Sequence, residues 1–241
     1  MLKKDKKNNG TETYAIIFAR GGSKGVKKKN IKDFCGKPLI AYSIISAIEN
    51  EHVDDVFVST DDEDIARISE KYGAKIPFIR PKSLAEDNSP EWLAWQHALK
   101  HFQERKSLPN YMISLPATSP LRIDGDITRA YKKIVKNDFD AVIAVTKSKR
   151  HPMFNMVTKD QFDQVDLLME SSLKITRRQD TSAAYDITTL VYVARTEYVM
   201  NSKGLFDGKI GAIEIPEMRA IDIDTEFDFQ LATLIKENSK K

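Results

Sequence analysis

The stretch Ile16–Asn30, IIFARGGSKGVKKKN, decides the fold. Its first four residues complete the run YAIIFA (Tyr14–Ala19), which is apolar without alternation, the pattern of a strand buried on both faces. The strand ends at Arg20 and passes into a loop containing Gly21, Gly22 and Gly25, with Lys24 and Lys27–Lys29 around them. Glycine permits positive φ and close backbone approach, and successive amides in such a loop form a nest for an anion. The added cations suit a triphosphate. The spacing is neither GxxxxGK[ST] nor GxGxxG, so neither common nucleotide fingerprint applies. The competing reading is a plain turn with solvated lysines. The place of the loop, directly after the first buried strand, favours a ligand.

Outward from this stretch, short apolar runs alternate with amphipathic segments. A helix is expected over Pro38–Glu49, a strand over Asp55–Thr60, and a helix over Asp62–Ala74 with acids at its start and Gly73 as its stop. IPFIR (Ile76–Arg80) reads as a short third strand. Ser89–Glu104 reads as a helix with a Ser cap and a proline at the next position. A strand over Tyr111–Leu115, a helix over Asp124–Val135 and a strand over Ala141–Thr146 continue the alternation. Residues 147–185 break it and read as a hairpin or irregular insertion. ITTLVYVAR is a further strand, and the segment from Ala212 to Ile235 gives two short strands and a closing helix begun by Thr225 and Glu226. The pattern predicts an α/β fold with a mostly parallel sheet covered on both faces. Ligands bind at the carboxyl ends of the strands of such sheets, so the loops after Ala19, Thr60, Arg80 and Leu115 are expected to line one cleft.

Length and composition bound the class. The 241 residues suit one large domain. Residues 1–13 read as a basic, polar leader and 14–241 as the domain. A net charge of +3, partly from Lys3, Lys4, Lys6 and Lys7, gives no support for a nucleic-acid binder. No apolar run approaches ~20 residues, so no membrane span is expected. The single cysteine, Cys35, excludes an internal disulfide, and the cytoplasm is the expected compartment. His52, His97, His101 and His151 show no metal-ligand spacing with Cys35.

The loop ARGGSKGVKKKN followed by GKPLIAYSI resembles the amino-terminal signature of cytidylyltransferases acting on acidic keto-sugars, the CMP-sialic acid synthetase (acylneuraminate cytidylyltransferase) family. The likeness continues through VSTDDEDIA, IRPKSLAEDNSP, LPATSPLR, RRQD and IDIDTEFDF, in order along nearly the whole chain. It implies a Rossmann-like three-layer nucleotidyltransferase fold, CTP as donor, an acidic sugar as acceptor, Mg²⁺ dependence and a homodimer. The expected reaction is attack of the anomeric hydroxyl of a 2-keto-3-deoxy acid on the α-phosphorus of CTP, with pyrophosphate leaving. Phosphoryl-type transfer of this kind rests on positioning and charge neutralisation.

The resemblance assigns Arg20 and Lys29 to the triphosphate and to the leaving pyrophosphate. It places Ala19, Gly21, Gly22 and Ser23 around the phosphates, Asn30 at the cytosine, and Arg80 and Ser89 at the nucleoside. Without it, Arg80 simply ends a strand and Ser89 caps a helix. Asp222 and Asp224 in IDID stand two apart, which on a strand puts both carboxylates on one face and Ile221 and Ile223 on the other. The spacing alone fits an amphipathic edge strand as well; the resemblance makes the pair the Mg²⁺ site. Asp62 reads as a helix cap, and Asp61 stays open.

On the sugar side the resemblance points to Arg178 and Gln179, with Asp186 and Thr188 in the following strand. The sequence departs from the sialate enzymes here. Pro116 stands where LQPTSPLR has glutamine, Asp186-Ile187-Thr188-Thr189 replaces an Arg-x-Asn-Gly run, and Asn155 follows the His-Pro element where a lysine is common. Arg178 is the expected partner of the acceptor carboxylate, since its fork binds one bidentately. Two rival expectations are a nucleotidyltransferase with a sugar-phosphate acceptor and a non-catalytic nucleotide-binding protein on the same fold.

Overall fold

The computed structural model describes residues 11–170, 177 and 181–239. In chain order the elements are β1 (Thr13–Phe18), β2 (Asp33–Phe34), β3 (Lys37–Pro38), α1 (Leu39–Glu49), β4 (Asp55–Ser59), α2 (Glu63–Lys71), α3 (Glu91–Glu104), β5 (Tyr111–Ser114), α4 (Asp124–Lys136), β6 (Ala141–Lys147), β7 (Val157–Lys159), β8 (Val165–Leu167), β9 (Tyr185–Arg195), α5 (Thr196–Asn201), β10 (Ile210–Glu214) and α6 (Glu226–Asn238).

One central sheet runs β10-β6-β9-β5-β1-β4. β1 is parallel to both β4 and β5, and β10 is parallel to β6. β9 alone is antiparallel to its neighbours. β1 shows why the sheet is buried on both sides. Ala15 and Ile17 face a core shared with Ile40 and Ile44 of α1, Ile65 of α2 and Ile127 and Ile134 of α4. Tyr14 and Ile16 face the opposite core, with Trp95, Leu99 and Phe102 of α3 and Val199 of α5. Each fully buried Ile or Leu contributes about 1.5–3 kcal/mol, so the unbroken apolar run of β1 anchors three layers at once. A third cluster joins Val26, Phe34, Leu39, Ile223 and Phe229, and it fastens α6 beneath the glycine-rich loop.

Three local expectations are corrected. Ile76–Arg80 is not a strand: it makes one isolated bridge, Thr60 with Ile79, and Lys75 just before it bridges Phe57. Pro77 lacks the N–H that a ladder needs. Ser89 caps no helix, because Pro90 is the N-cap of α3. Ile221–Asp224 is not a strand either. Ile223 N donates to Thr118 O, while a side chain, Lys29 Nζ, takes the Ile223 carbonyl. The insertion contains the antiparallel hairpin β7–β8.

β9 carries a register irregularity. Ile143 of β6 pairs with Tyr192, and the next residue, Ala144, pairs with Thr188. Residues 189–191 are therefore pushed out of that ladder. Bulges of this kind re-aim side chains, often beside active sites.

Candidate active site

A cleft of about 540 Å³ opens at the carboxyl ends of β1 and β5. Its walls bring together Arg20, Ser23, Lys24, Gly25, Lys29, Asn30, Arg80, Ser89 and Asp224, which lie far apart in sequence. Ala19 is buried, Gly22 is exposed, and neither they nor Gly21 line the cleft.

The loop is held by specific bonds. Gly21 N donates to Asp61 Oδ1 at 3.0 Å, and Asn30 Nδ2 donates to Arg20 O at 2.9 Å. Asp61, left open by the sequence, thus fastens the loop. Asp62 caps α2 by accepting from Ile65 N at 2.9 Å, as expected, which stabilises a helix by about 1 kcal/mol. The glycines do not use positive φ; Lys28 does, at 51°. Gly25 is required for another reason. A Cβ there would stand 2.0 Å from Asp224 O, so only glycine lets the loop pass the acidic segment. Of Lys27, Lys28 and Lys29, Lys29 alone lines the cleft, and Lys28 faces Asp64.

Arg20 Nη1 lies 2.6 Å from Asp87 Oδ1, and Lys24 pairs with the other oxygen of the same carboxylate. These contacts, with that from Lys24 foremost, lower the Asp87 pKa. Sequence reasoning missed Asp87, although it stands inside LAEDNSP.

Arg80 is 5% exposed, with its Nε buried and without a hydrogen-bond partner. The nearest carboxylate, Asp61, is 3.9 Å away. Burial lowers its pKa, opposed by Asp61 and Glu91. A buried donor left unmade costs about 1–3 kcal/mol, so this guanidinium is set for an acceptor that enters the cleft. Glu91, also missed by the sequence, accepts from Trp95 Nε1 at 3.0 Å. The residue opens onto the cleft, yet crowding by the walls raises the pKa of its carboxyl; the Trp95 bond and Arg80 oppose this.

Asp224 lines the cleft, whereas Asp222 does not; it lies near enough to feel the charge of Asp224, without a strand to align the two. Burial is the main cause of the raised Asp222 pKa; the Thr118 hydroxyl opposes it and Asp224 adds to it. Thr189 and Lys29 also favour the charged form. Asp222 Oδ1 is buried with no hydrogen-bond partner. Lys29 Nζ lies 3.0 Å from Asp224 Oδ1. Among the described residues, no group of three or more His, Cys, Asp or Glu is arranged to hold a metal ion. Two carboxylates with an orphaned buried oxygen fit Mg²⁺, which takes one or two protein carboxylates and fills its shell with water and substrate phosphate.

The sugar-side residues divide. Arg178 and Gln179 lie outside the described residues. Asp186 is exposed on β9, opposite Thr146. Thr188 does not reach the cleft: it is buried and its hydroxyl donates to Ala144 O at 3.3 Å. Its neighbour Thr189, turned by the bulge, lines the cleft instead and lies 2.7 Å from Ser119 Oγ. Only the bulge distinguishes the two threonines, and no local sequence signal marks it.

The cytidylyltransferase family model matches residues 14–238. A Campylobacter jejuni protein named pseudaminic acid cytidylyltransferase is 34% identical over 224 residues, covering 93% of this chain and 96% of that protein. A CMP-N,N'-diacetyllegionaminic acid synthase from the same species is 33% identical over 225 residues, covering 93% and 94%. The solved structure of CMP:2-keto-3-deoxy-manno-octonic acid synthetase complexed with CTP superposes with a TM-score of 0.71 at 15% identity, over 95% of this chain and 100% of that one. At that identity the likeness speaks to the fold.

Proposed function

This chain belongs to the cytidylyltransferase family, and from that premise we infer how its cleft moves CMP from CTP onto an acidic keto-sugar. The observation that carries the reading is the buried guanidinium of Arg80, whose Nε has no hydrogen-bond partner, in a cleft also walled by Arg20, Lys24 and Lys29. Cytosine presents the acceptors O2 and N3 to such a donor, and the three cations suit a triphosphate. Ser23 and the amides near Gly25 hold phosphate oxygens. Asn30 orders the base end of the loop through its bond to Arg20 O.

The sugar hydroxyl attacks the α-phosphorus, a new P–O bond forms, and the bond to pyrophosphate breaks. The hydroxyl proton leaves to solvent or a nearby base as the bond forms. Charge grows on the leaving oxygens, where Arg20 and Lys29 neutralise it; such preorganised electrostatics is often the largest part of a rate enhancement. Asp222 and Asp224 would hold Mg²⁺, which screens phosphate charge and polarises the phosphoryl group. Thr118 and Thr189 favour the charged form of Asp222.

We place the acceptor among nonulosonic acids other than N-acetylneuraminate. Asp186 and Asn155 stand where the sialate enzymes commonly carry cations, and the acid suits a sugar bearing donor groups. Arg178 and Gln179 are assigned to its carboxylate and hydroxyls. The protein is further proposed to act as a homodimer: β7 and β8 expose Val157, Val165 and Leu167, with Phe162 at 80% exposure between them, and a second copy would cover them. Light scattering tests this, and a monomer at high concentration would overturn it. The single cysteine supports the cytoplasm as the compartment.

The deciding experiment is pyrophosphate release from CTP and Mg²⁺ with a panel of nonulosonic and octulosonic acids. Release with a nonulosonic acid other than N-acetylneuraminate supports the reading. Release with N-acetylneuraminate alone overturns the sugar assignment, and release with none overturns the transfer itself.

A further inference from the structure

We infer that Arg122 is a positioning residue for the proposed metal pair, acting through Thr118 and Thr189. The inference rests on the assignment of Asp222 as a metal ligand. Arg122 is 7% exposed and spends three nitrogens on three acceptors. Nε donates to Leu190 O at 2.6 Å, Nη1 to Ser43 Oγ at 3.0 Å and Nη2 to Pro116 O at 3.0 Å. Ser43 Oγ also donates to Pro116 O, at 3.0 Å. A planar guanidinium holds three acceptors in fixed directions, which a lysine cannot do.

Both carbonyls belong to backbone outside the ladders. Leu190 sits in the bulge of β9, and Pro116 in the loop after β5. Each stands one or two residues from a hydroxyl that faces Asp222. Thr189 precedes Leu190, and Thr118 follows Pro116 by two. Ser119 Oγ and Thr189 Oγ1, 2.7 Å apart, tie the two segments together, and Thr118 O accepts from Ile223 N. Arg122 thus fixes, from behind, the two backbone segments on which Asp222 is hung.

The charge of Arg122 has support of its own. Burial lowers its pKa to about 9, and Asp126 opposes this, so the guanidinium is charged at neutral pH. Asp126 is itself held by Arg129 and Arg219. Outer partners of metal ligands set ligand orientation, and their loss costs metal affinity by about 10- to 100-fold. A residue that merely filled the core would instead lower stability with no preference for the metal.

The test uses the full chain and Mn²⁺ as the probe. Free Mn²⁺ is read by its electron paramagnetic resonance signal with CTP present and no acceptor, beside CTP affinity without metal and thermal melts. Arg122→Lys and Thr189→Val should each weaken Mn²⁺ binding about tenfold, and Arg122→Lys should leave metal-free CTP affinity unchanged. The double variant should lose less than the product of the two single effects, because the changes share part of one path. A cooperatively melting Arg122→Lys protein with wild-type Mn²⁺ affinity overturns the inference. So does one that loses CTP and Mn²⁺ equally. Should Arg122→Lys fail to fold, Ser43→Ala, which deletes one hydroxyl of the same network, takes its place, and unchanged Mn²⁺ binding there is equally fatal. Asp222→Asn separates the premise: if it leaves Mn²⁺ affinity intact, the ligand assignment fails. If it weakens binding while the Arg122 and Ser43 variants do not, only the positioning role fails.

Discussion

Lys29 Nζ lies 3.0 Å from Asp224 Oδ1 and 2.5 Å from the Ile223 carbonyl, so the cation of the glycine-rich loop is moored on the acidic segment ahead of the last helix. The group assigned to the leaving pyrophosphate and a group assigned to the metal therefore sit side by side, close to where the reacting phosphates must lie. Lys29→Ala should lower turnover by roughly 10²-fold or more, the usual cost of losing one preorganised charge. Arg20→Ala should do the same. Initial rates of pyrophosphate release, taken with melting curves, check this. A folded variant at near wild-type turnover would remove that residue from the mechanism.

Asp87 holds the other two cations. Any triphosphate that engages Arg20 and Lys24 must part them from this carboxylate. Replacement by asparagine keeps the size and deletes the competing charge. CTP affinity of Asp87→Asn should then rise, by about two- to fivefold given how weakly exposed ion pairs hold. Isothermal titration at low and high salt measures it, and the gain should shrink as salt screens the pair. Weaker CTP binding in the variant would show that Asp87 supports the ligand rather than competing with it.

Much of this was legible in the sequence, for identifiable reasons. β1 and its loop were readable because an unbroken apolar run followed by glycines and cations has few other solutions. The cap at Asp62 was readable because capping is local. The failures that bear on the acidic segment and the sugar side are non-local. Ile221–Asp224 looked like a strand by its alternation, yet it leans on a loop, and Lys29 takes the carbonyl a ladder would have used. Thr188 and Thr189 are indistinguishable until the bulge turns one inward and one outward. Arg122 ends the run LPATSPLR without a role that the sequence can show, since its partners Ser43 and Leu190 are brought to it only by the fold.

His97 gives a pH prediction. It packs edge-on against Phe78, and its Nδ1 is buried without a hydrogen-bond partner. Burial, then the nearby Arg80, lowers its pKa from the ordinary 6.5. The native protein therefore binds fewer protons than the unfolded chain once pH drops below about 6.5. Its share of stability is intact above that pH, and is lost as pH falls from 6.5 through the lower native value. His97→Phe removes the titration and the orphaned nitrogen. Melting temperature plotted from pH 7 to 5 should fall less steeply in the variant. His101, lowered in the same direction by burial, Arg105 and His97 itself, contributes a slope of the same sign to both proteins, so the difference between the curves reports His97 together with its effect on His101. Parallel curves would exclude it.

The acidic pair makes the sharpest prediction. Asp222 carries a buried oxygen with no partner, inside a setting where burial works against its charge and two hydroxyls and Lys29 support it. Keeping a carboxylate there is costly unless a cation uses it. Asp222→Asn preserves the shape and removes the charge, so it relieves the burial cost while destroying the site. The melting temperature should hold or rise, turnover should collapse, and the Mg²⁺ concentration for half-maximal rate should climb. Asp224→Asn should share the metal effect, and it should also weaken the anchor of Lys29, raising the KM for CTP more than Asp222→Asn does. A purely structural role predicts the reverse pattern: a lower melting temperature and an unaltered Mg²⁺ curve. Rates measured against Mg²⁺ at several CTP concentrations, beside melts of both variants, separate the two, and an Asp222→Asn enzyme with normal turnover would strike that residue from the metal site.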